Sequence, residues 1–290
     1  MRIGFIGAGK VGCSLGKYLK ESAGEWQIEG YFSRSIESAR EAAVFTDSRV
    51  IDQAELLAQM SDVIFITTPD GAIAEVWKEL CTYNISLENK IVVHCSGLLS
   101  STVFEGAKER GVTAVSLHPF YAISDRYHSY ETLSEALFTL EGSGTRLGEL
   151  QTLLEASGLT IQRMDASSKV AYHAAASIGS NLMVGLTELS IDLLLNCGFD
   201  REHARMALRP LMQGNLDAIM EKDTVEALTG PAERADRDTV YAHLQTLIGD
   251  DREIYRLLTK KLVTIAKQKN PERGYGQLEA CLAGKTGTDL

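Results

Sequence analysis

Apolar positions divide the chain into two parts with different rhythms. Up to about residue 162, short apolar runs alternate with stretches whose apolar residues recur every three or four positions. Runs at 2–6, 26–32, 62–67, 90–95 and 112–117 predict strands, and a β-prone segment surrounds Val50. The stretches between them predict helices, one opening after Gly12, one following the second run through Ala43 and one at 54–60. The run Asp62-Val63-Ile64-Phe65-Ile66-Thr67 is nearly continuous in apolar residues, as expected of a strand covered on both faces. Asp70, directly after Pro69, stands where it can cap the next helix. Two further runs, 138–140 and 159–161, bracket a helical stretch at 146–156 and predict closing strands. Strands alternating in this way with helices mean an α/β fold, a doubly wound sheet.

Past Met164 no strand pattern remains. Asp165 can cap a helix that runs to Asn196 and stops before Gly198, roughly 45 Å at 1.5 Å per residue. Asp200 opens a second helix to about Met220. A loop at 229–236 leads to helices at 238–248 and 251–269, and 277–284 adds a turn or two. The expected division is a doubly wound domain over 1–163 and an all-α C-terminal domain over 164–290.

With 290 residues the chain is long enough for two domains and a sizeable core. A net charge of −10 argues against a nucleic-acid surface, which needs clustered Lys and Arg. No uninterrupted apolar run approaches the ~18 residues of a membrane helix. The 3–8 run is too short and too rich in glycine for a signal sequence. Cys13, Cys81, Cys95, Cys197 and Cys281 are widely spaced, odd in number and contain no C-x-x-C. They read as reduced thiols of a cytoplasmic protein rather than a disulfide framework or a metal site.

The first strand breaks into Gly7-Ala8-Gly9-Lys10-Val11-Gly12, a G-x-G-x-x-G between strand and helix. Gly7 suits a tight turn, Gly9 a close approach of backbone to a pyrophosphate, and Gly12 close packing of helix on strand. The free N–H groups at the helix start, including those of Lys10 and Val11, then hold phosphates. At the end of the second strand an NAD site usually carries an acidic residue. This chain has Ser33-Arg34-Ser35, which suits the 2′-phosphate of NADP through two parallel charge-assisted bonds. Ser35 can equally cap the helix that follows. Thr67, Thr68 and Pro69, at a strand end, are expected to wall the cofactor cleft.

The start of the long helix carries Lys169, Tyr172, His173, Ser177 and Ser180 on one stripe, with Asn181 at its edge. Residues 170–187 hold no other lysine and no carboxylate, so the stripe is not an ordinary solvated face. It is expected to face the cofactor, with Lys169 polarising a carbonyl and supplying the proton and His173 orienting the substrate or sharing the transfer. Ser96, His118, Ser177 and Asn181 are expected to position the substrate. Taken alone, His118 is more often structural than catalytic, and His94 and Cys95 read as core. Arg234 and Asp236 either reach a substrate carboxylate or pair with each other.

The glycine fingerprint, Ser33-Arg34-Ser35, His94-Cys95-Ser96-Gly97, His118-Pro119-Phe120, Lys169-x-x-Tyr172-His173 with Asn181, and Thr229-Gly230-Pro231-x-x-Arg234-x-Asp236 together resemble one family. It comprises bacterial proteins that pair a Rossmann-like domain with a helical domain of unknown function. More broadly the chain is similar to 6-phosphogluconate-dehydrogenase-like oxidoreductases, among them pyrroline-5-carboxylate, β-hydroxyacid and ketopantoate reductases. The resemblance implies an NADP-dependent reductase of a small 2-oxo acid, ketopantoate first; the Ala/Leu/Met-rich helix at 166–196, with more apolar surface than one small helical domain covers, predicts a homodimer through the helical domain. An imine reductase and a non-catalytic NADP(H) sensor are the alternatives. Two departures stand out. In the β-hydroxyacid and ketopantoate groups an asparagine follows the catalytic lysine by four residues, where this chain has His173. Ala235 stands where the loop pattern has glycine.

Overall fold

Eight strands build one sheet: β1 (Arg2–Ile6), β2 (Gln27–Phe32), β3 (Arg49–Val50), β4 (Val63–Ile66), β5 (Ile91–His94), β6 (Thr113–Phe120), β7 (Leu137–Ser143) and β8 (Thr160–Arg163). Their order is β3-β2-β1-β4-β5-β6-β7-β8, and every pairing is parallel except β6 with β7. The computed structural model describes residues 1–23 and 25–284. Helices α1 (Lys10–Glu21), α2 (Ile36–Phe45), α3 (Ala54–Met60), α4 (Asp70–Leu80) and α5 (Leu147–Ala156) connect the strands. Between β6 and β7 there is only a short 3-10 turn, Ser129–Glu135, instead of a crossover helix. The chain therefore returns antiparallel.

The continuous apolar run of β4 is split between the two faces of the sheet. Val63 and Phe65 join one core cluster with Phe5, Leu15 and Tyr31, while Ile64 and Ile66 join a second with Leu57 and Trp77. A strand covered on both sides needs apolar residues at every position, which is why alternation is absent from the sequence here.

Three expectations change. β6 runs on through His118, Pro119 and Phe120, because these pair with Thr139, Phe138 and Leu137 of β7. His118 is thus inside a strand rather than after one. Asp70 does not cap α4: Pro69 occupies that position without a side-chain cap, and the Asp70 carboxylate accepts instead from the Ser96 hydroxyl at 2.6 Å. The single long helix is interrupted. A 3-10 turn at Ala166–Ser168 precedes α6 (Lys169–Gly179), the backbone leaves helical geometry at Ser180 (φ −122°, ψ −79°), and α7 covers Asn181–Asn196. Taken as one stretch, Ala166–Asn196 is long and apolar enough by length and composition to cross a membrane. It holds no uninterrupted apolar run of that length, because polar side chains from Lys169 to Asp192 punctuate it.

Packing divides the chain into two compact units, Met1–Leu182 and Met183–Leu290. The second contains α8 (Arg201–Ala227), α9 (Arg237–Thr246), α10 (Gly249–Lys269) and α11 (Gly276–Leu282). Asp200 caps α8 through the His203 amide at 2.8 Å, and Asp223 (φ +76°) interrupts it. Val240, Leu244, Val263, Ala266, Tyr275, Leu278 and Leu282 form the core of this unit. Many apolar side chains of α7, α8 and α10 stay exposed, including Val184, Met206, Leu211, Met220 and Leu257. Ala235 is left-handed (φ +57°), the conformation for which glycine is the usual residue. Asp236 spends its carboxylate on the amide and hydroxyl of Thr239 and caps α9, and among the described residues it makes no ion pair with Arg234.

Candidate functional site

The three glycines do different work. Gly7 turns the chain at φ +107°, and a Cβ there would lie 2.7 Å from the backbone carbon of Thr67. At Gly12 a Cβ would lie 2.5 Å from Thr67 Oγ1 and 2.9 Å from the Gly7 carbonyl oxygen. Strand β4 thus ends directly against the turn, and Thr67 donates to the Gly7 carbonyl at 2.8 Å. Gly9 is the N-cap of α1 and faces open space.

That space is a cleft of about 440 Å³. Gly7, Ala8 and Gly9, then Ser33 and Arg34, then Thr67, Thr68 and Pro69 line it. Lys10, Val11 and Gly12 form the first turn of α1 outside its wall. Ser35 accepts from the Ser38 amide at 3.2 Å and caps α2, also outside the wall. Arg34 is exposed, and among the described residues its guanidinium makes no hydrogen bond or ion pair. Thr68 Oγ1 is buried without a hydrogen-bond partner. Ala72, Glu75, Val76 and Glu79 of α4 complete the wall. Their i, i+3, i+4, i+7 spacing is a single helix face, a signal present in the sequence and not read from it.

A second cluster forms where β5 and β6 end and α6 begins. Lys169 is 1 % exposed, and its ammonium donates to the Ser96 carbonyl at 2.9 Å and to the Ser116 hydroxyl at 2.8 Å. The turn Ser96-Gly97 therefore rests on a buried cation. Two imidazoles approach the same turn. A Cβ on Gly97 would lie 2.7 Å from His173 Nδ1 and 2.9 Å from His118 Nε2. Tyr172 and His118 Nδ1 are 2.7 Å apart, and Thr139 Oγ1 donates to the Tyr172 oxygen at 3.1 Å. In the tautomer in which the Tyr172 hydroxyl donates to Nδ1, the neutral ring carries its proton on Nε2.

Burial sets the charge states. It pulls His118 down to about 4, reinforced by Lys169 and His173, so the ring is neutral at pH 7. His94 is also brought to about 4 by burial. It donates to the Ser100 carbonyl and accepts from the Ser96 amide, both at 3.1 Å, and serves the turn structurally. Lys169 is lowered to about 8 by burial, while Glu141, Cys95 and Asp70 pull the other way. Glu141 is itself buried and holds the amide and hydroxyl of Ser101 at 2.6 and 2.7 Å. Burial pushes the Cys95 thiol up to about 12, which fits a packing role.

The polar stripe is thus gathered only at its start. Lys169, Tyr172 and His173 meet Ser96 and His118. Ser177 is half-buried and Asn181 exposed, and among the described residues neither hydrogen-bonds to the cluster. Asp70, expected from the sequence only as a helix cap, contributes as well, together with Ser116, Thr139 and Glu141. Their pattern was available, since Ser116 and His118 sit opposite Glu141 and Thr139 across the β6–β7 pair. Among the described residues no group of His, Cys, Asp and Glu is arranged to hold a metal ion.

Fold and site define a Rossmann-like chain with a helical C-terminal region. Residues 1–119 match the family model of a Rossmann-like domain, and residues 136–262 match that of a domain of unknown function (DUF2520). A protein of Thermotoga maritima of known structure is 28 % identical and superposes with a TM-score of 0.72, covering 92 % of this chain and 99 % of that one. A candidate NADP oxidoreductase of Bacteroides fragilis is 23 % identical, with a TM-score of 0.71 over 91 % of this chain and 98 % of that one. The fold also matches pyrroline carboxylate reductase of Plasmodium falciparum with NADP bound, at 16 % identity and a TM-score of 0.58, covering 96 % and 98 %. Comparison with curated protein sequences finds no match.

Proposed function

We propose that the protein is an NADPH-dependent reductase of a small 2-oxo acid, with ketopantoate the first substrate to try. The observation that carries this reading is adjacency. The glycine-turn cleft and the Lys169–His118–His173 cluster occupy the C-terminal edge of neighbouring strands, where open α/β sheets place their ligands. Asp70 joins them, following Pro69 of the cleft wall and holding Ser96 of the cluster. The names of two structural neighbours, an NADP oxidoreductase and an NADP-bound reductase, point the same way.

The residues present fit a nicotinamide dinucleotide. Open space faces Gly9, and the orphaned Thr68 hydroxyl in the wall awaits a hydrogen-bond partner. When bound, the dinucleotide supplies the hydride. The amides at the start of α1 would hold its pyrophosphate, and Arg34 with Ser33 its 2′-phosphate. At Gly97, His118 Nε2–H is a neutral donor to the substrate oxygen and His173 orients the substrate. Negative charge growing on that oxygen is stabilised by the nearby ammonium of Lys169. Two of the three N–H bonds of Lys169 are committed to Ser96 and Ser116, and the third is the source of the proton.

Reduction of a C=N bond is the second reading. It is favoured by the neutrality of His118, because an iminium carbon accepts hydride with little acid catalysis, and by the fold match to a pyrroline carboxylate reductase, a pyrroline ring holding a C=N bond. For either reaction a second copy of this chain is the proposed partner, seated on the exposed apolar side chains of α7, α8 and α10.

The test is direct titration with NADPH and NADH, followed by NADPH oxidation across a panel of 2-oxo acids and cyclic imines. NADPH should bind more tightly, and Arg34→Ala should narrow the gap by about ten- to a hundredfold. Equal affinity for both cofactors in the parent would refute the NADP assignment. Tight binding with no turnover of any panel member would favour a sensor.

A further inference from the structure

The connection between β6 and β7 does more than reverse the chain. It carries Arg126, whose guanidinium is spread over three separate elements of the first unit. Nη2 donates to the Ala8 carbonyl at 2.8 Å and to the Ser38 carbonyl at 2.7 Å. Nε donates to Cys13 Sγ at 3.0 Å, and Nη1 pairs with Glu41. Ser14 of α1 ties down the same connection by donating to the carbonyls of Asp125 and Arg126 at 3.4 and 3.3 Å. One side chain thus joins the glycine turn, the first helix and the first turns of α2.

Two of these contacts bear on the cleft. In a trans peptide the C=O and the following N–H point in opposite directions. The Ala8 carbonyl is held toward Arg126, which lies outside the cleft wall, while Gly9 and Ala8 are part of that wall. Fixing that carbonyl therefore fixes the Gly9 N–H toward the cleft, where an anion would meet it. Ser38 is also in the wall, on the helix that Ser35 caps directly after Arg34. Holding the Ser38 carbonyl and Glu41 sets the position of the Ser33–Arg34 corner relative to the glycine turn.

We infer that Arg126 is a positioning residue for the dinucleotide. It does not touch the cofactor; it locks the pyrophosphate-binding amide and the 2′-phosphate corner into one spacing. This rests on the nicotinamide-dinucleotide reading above. A residue that orients the pyrophosphate amide serves NADPH and NADH alike, whereas a ligand of the 2′-phosphate serves NADPH alone.

The experiment compares dissociation constants for NADPH and NADH, by calorimetry or quenching of protein fluorescence, in the parent, Arg126→Ala, Arg126→Lys and Arg34→Ala, with melting curves of the cofactor-free proteins. Arg126→Ala should weaken both cofactors by about tenfold or more, and NADPH at least as much as NADH because the 2′-phosphate corner is loosened too. Arg34→Ala should weaken NADPH only. Arg126→Lys keeps the charge and a nitrogen that can donate to both carbonyls, as Nη2 does, but loses the contacts of Nε and Nη1 with Cys13 and Glu41, so it should give a smaller loss for both cofactors. It also keeps the inference testable if the alanine variant does not fold. Unchanged affinity in the Arg126 variants, or a loss confined to NADPH, would overturn the inference. A parent protein that binds neither cofactor would instead overturn the reading on which it rests.

Discussion

Gly97→Ala tests whether the substrate sits where the imidazoles converge. The added methyl would stand 2.7 Å from His173 Nδ1 and 2.9 Å from His118 Nε2, against 3.4 Å for the start of ordinary contact. Each ring must then retreat by about 0.5–0.7 Å, since atoms this close are strongly repulsive. His118 has little room to do so, because Tyr172 holds its far nitrogen at 2.7 Å and Thr139 holds Tyr172 at 3.1 Å. Backbone strain plays no part, as Gly97 is not among the positive-φ glycines. A misplacement of about 1 Å costs about a hundredfold in rate, so a retreat of about 0.5–0.7 Å predicts a loss in kcat/KM of about ten- to thirtyfold. Overpacking should lower stability by about 1–3 kcal/mol, leaving a folded protein. NADPH affinity should not change, because no wall of the 440 Å³ cleft includes Gly97. Steady-state kinetics with the best panel substrate, an NADPH titration and a melting curve separate these effects. A folded variant with parental kcat/KM would show that the substrate is not bound at Gly97, and a parallel loss of NADPH affinity would place the damage in the cofactor cleft.

Lys169→Ala should lower kcat and kcat/KM together by about 10²–10⁴, the size expected for a lost positioned acid. Because Lys169 titrates at about 8 and acts protonated, parental kcat/KM should be level below pH 8 and fall tenfold per pH unit above it; a limb that persists in the variant would assign it to another group. His94 and His118 are held neutral at about 4 in the fold against 6.5 when free, so the unfolded chain binds more protons between those values. Stability should therefore fall as pH drops from 6.5 toward 4, by on the order of 3 kcal/mol per ring at the limit, and less steeply in His118→Gln. Denaturant midpoints as steep in the variant as in the parent would contradict this. Light scattering should give the mass of a dimer at micromolar protein, and a monomer mass with and without NADPH would refute the partner proposed for α7, α8 and α10.

The sheet was readable because its local and tertiary signals agree. β4 could only be a strand buried on both sides, and α3 begins and ends at the expected residues, Ala54 and Met60. The failures have a common cause, which is competition from distant partners. Asp70 was a reasonable cap until Ser96 claimed its carboxylate. β6 outran its apolar run because β7 pairs with His118, Pro119 and Phe120 whatever their strand preference. The helix break at Ser180 is the exception, since Gly179-Ser180 is a Gly-Ser pair of the kind at which helices kink, a local signal present in the sequence. Within the site, the spacing of Lys169, Tyr172 and His173 correctly grouped three side chains that meet at Ser96–Gly97. It could not show that Lys169 is buried against the Ser96 carbonyl while His173 stays exposed beside Gly97, since that depends on where β5 and β6 end. Arg126 was invisible for the same reason, lying more than a hundred residues from the glycine turn it holds.

Lys169 also poses a question of charge. A buried ammonium costs free energy unless it is compensated, and the usual remedy is a carboxylate in contact. Here the contacts are a carbonyl and a hydroxyl, and the carboxylates of Glu141 and Asp70 are engaged elsewhere, by Ser101 and Ser96. A direct ion pair would raise the lysine and cancel its field at Gly97. Keeping the carboxylates one residue removed leaves Lys169 at about 8, where it is charged at neutral pH and still able to release a proton. Glu141 is the largest influence holding that value up against burial. Glu141→Gln keeps a carbonyl oxygen to accept from Ser101 and removes the negative charge, so Lys169 should titrate lower still. The alkaline limb of kcat/KM should then move to a pH below 8, with kcat at pH 6 close to parental because the ammonium is still protonated there. A limb that stays in place, or moves up, would mean that Glu141 does not tune this lysine.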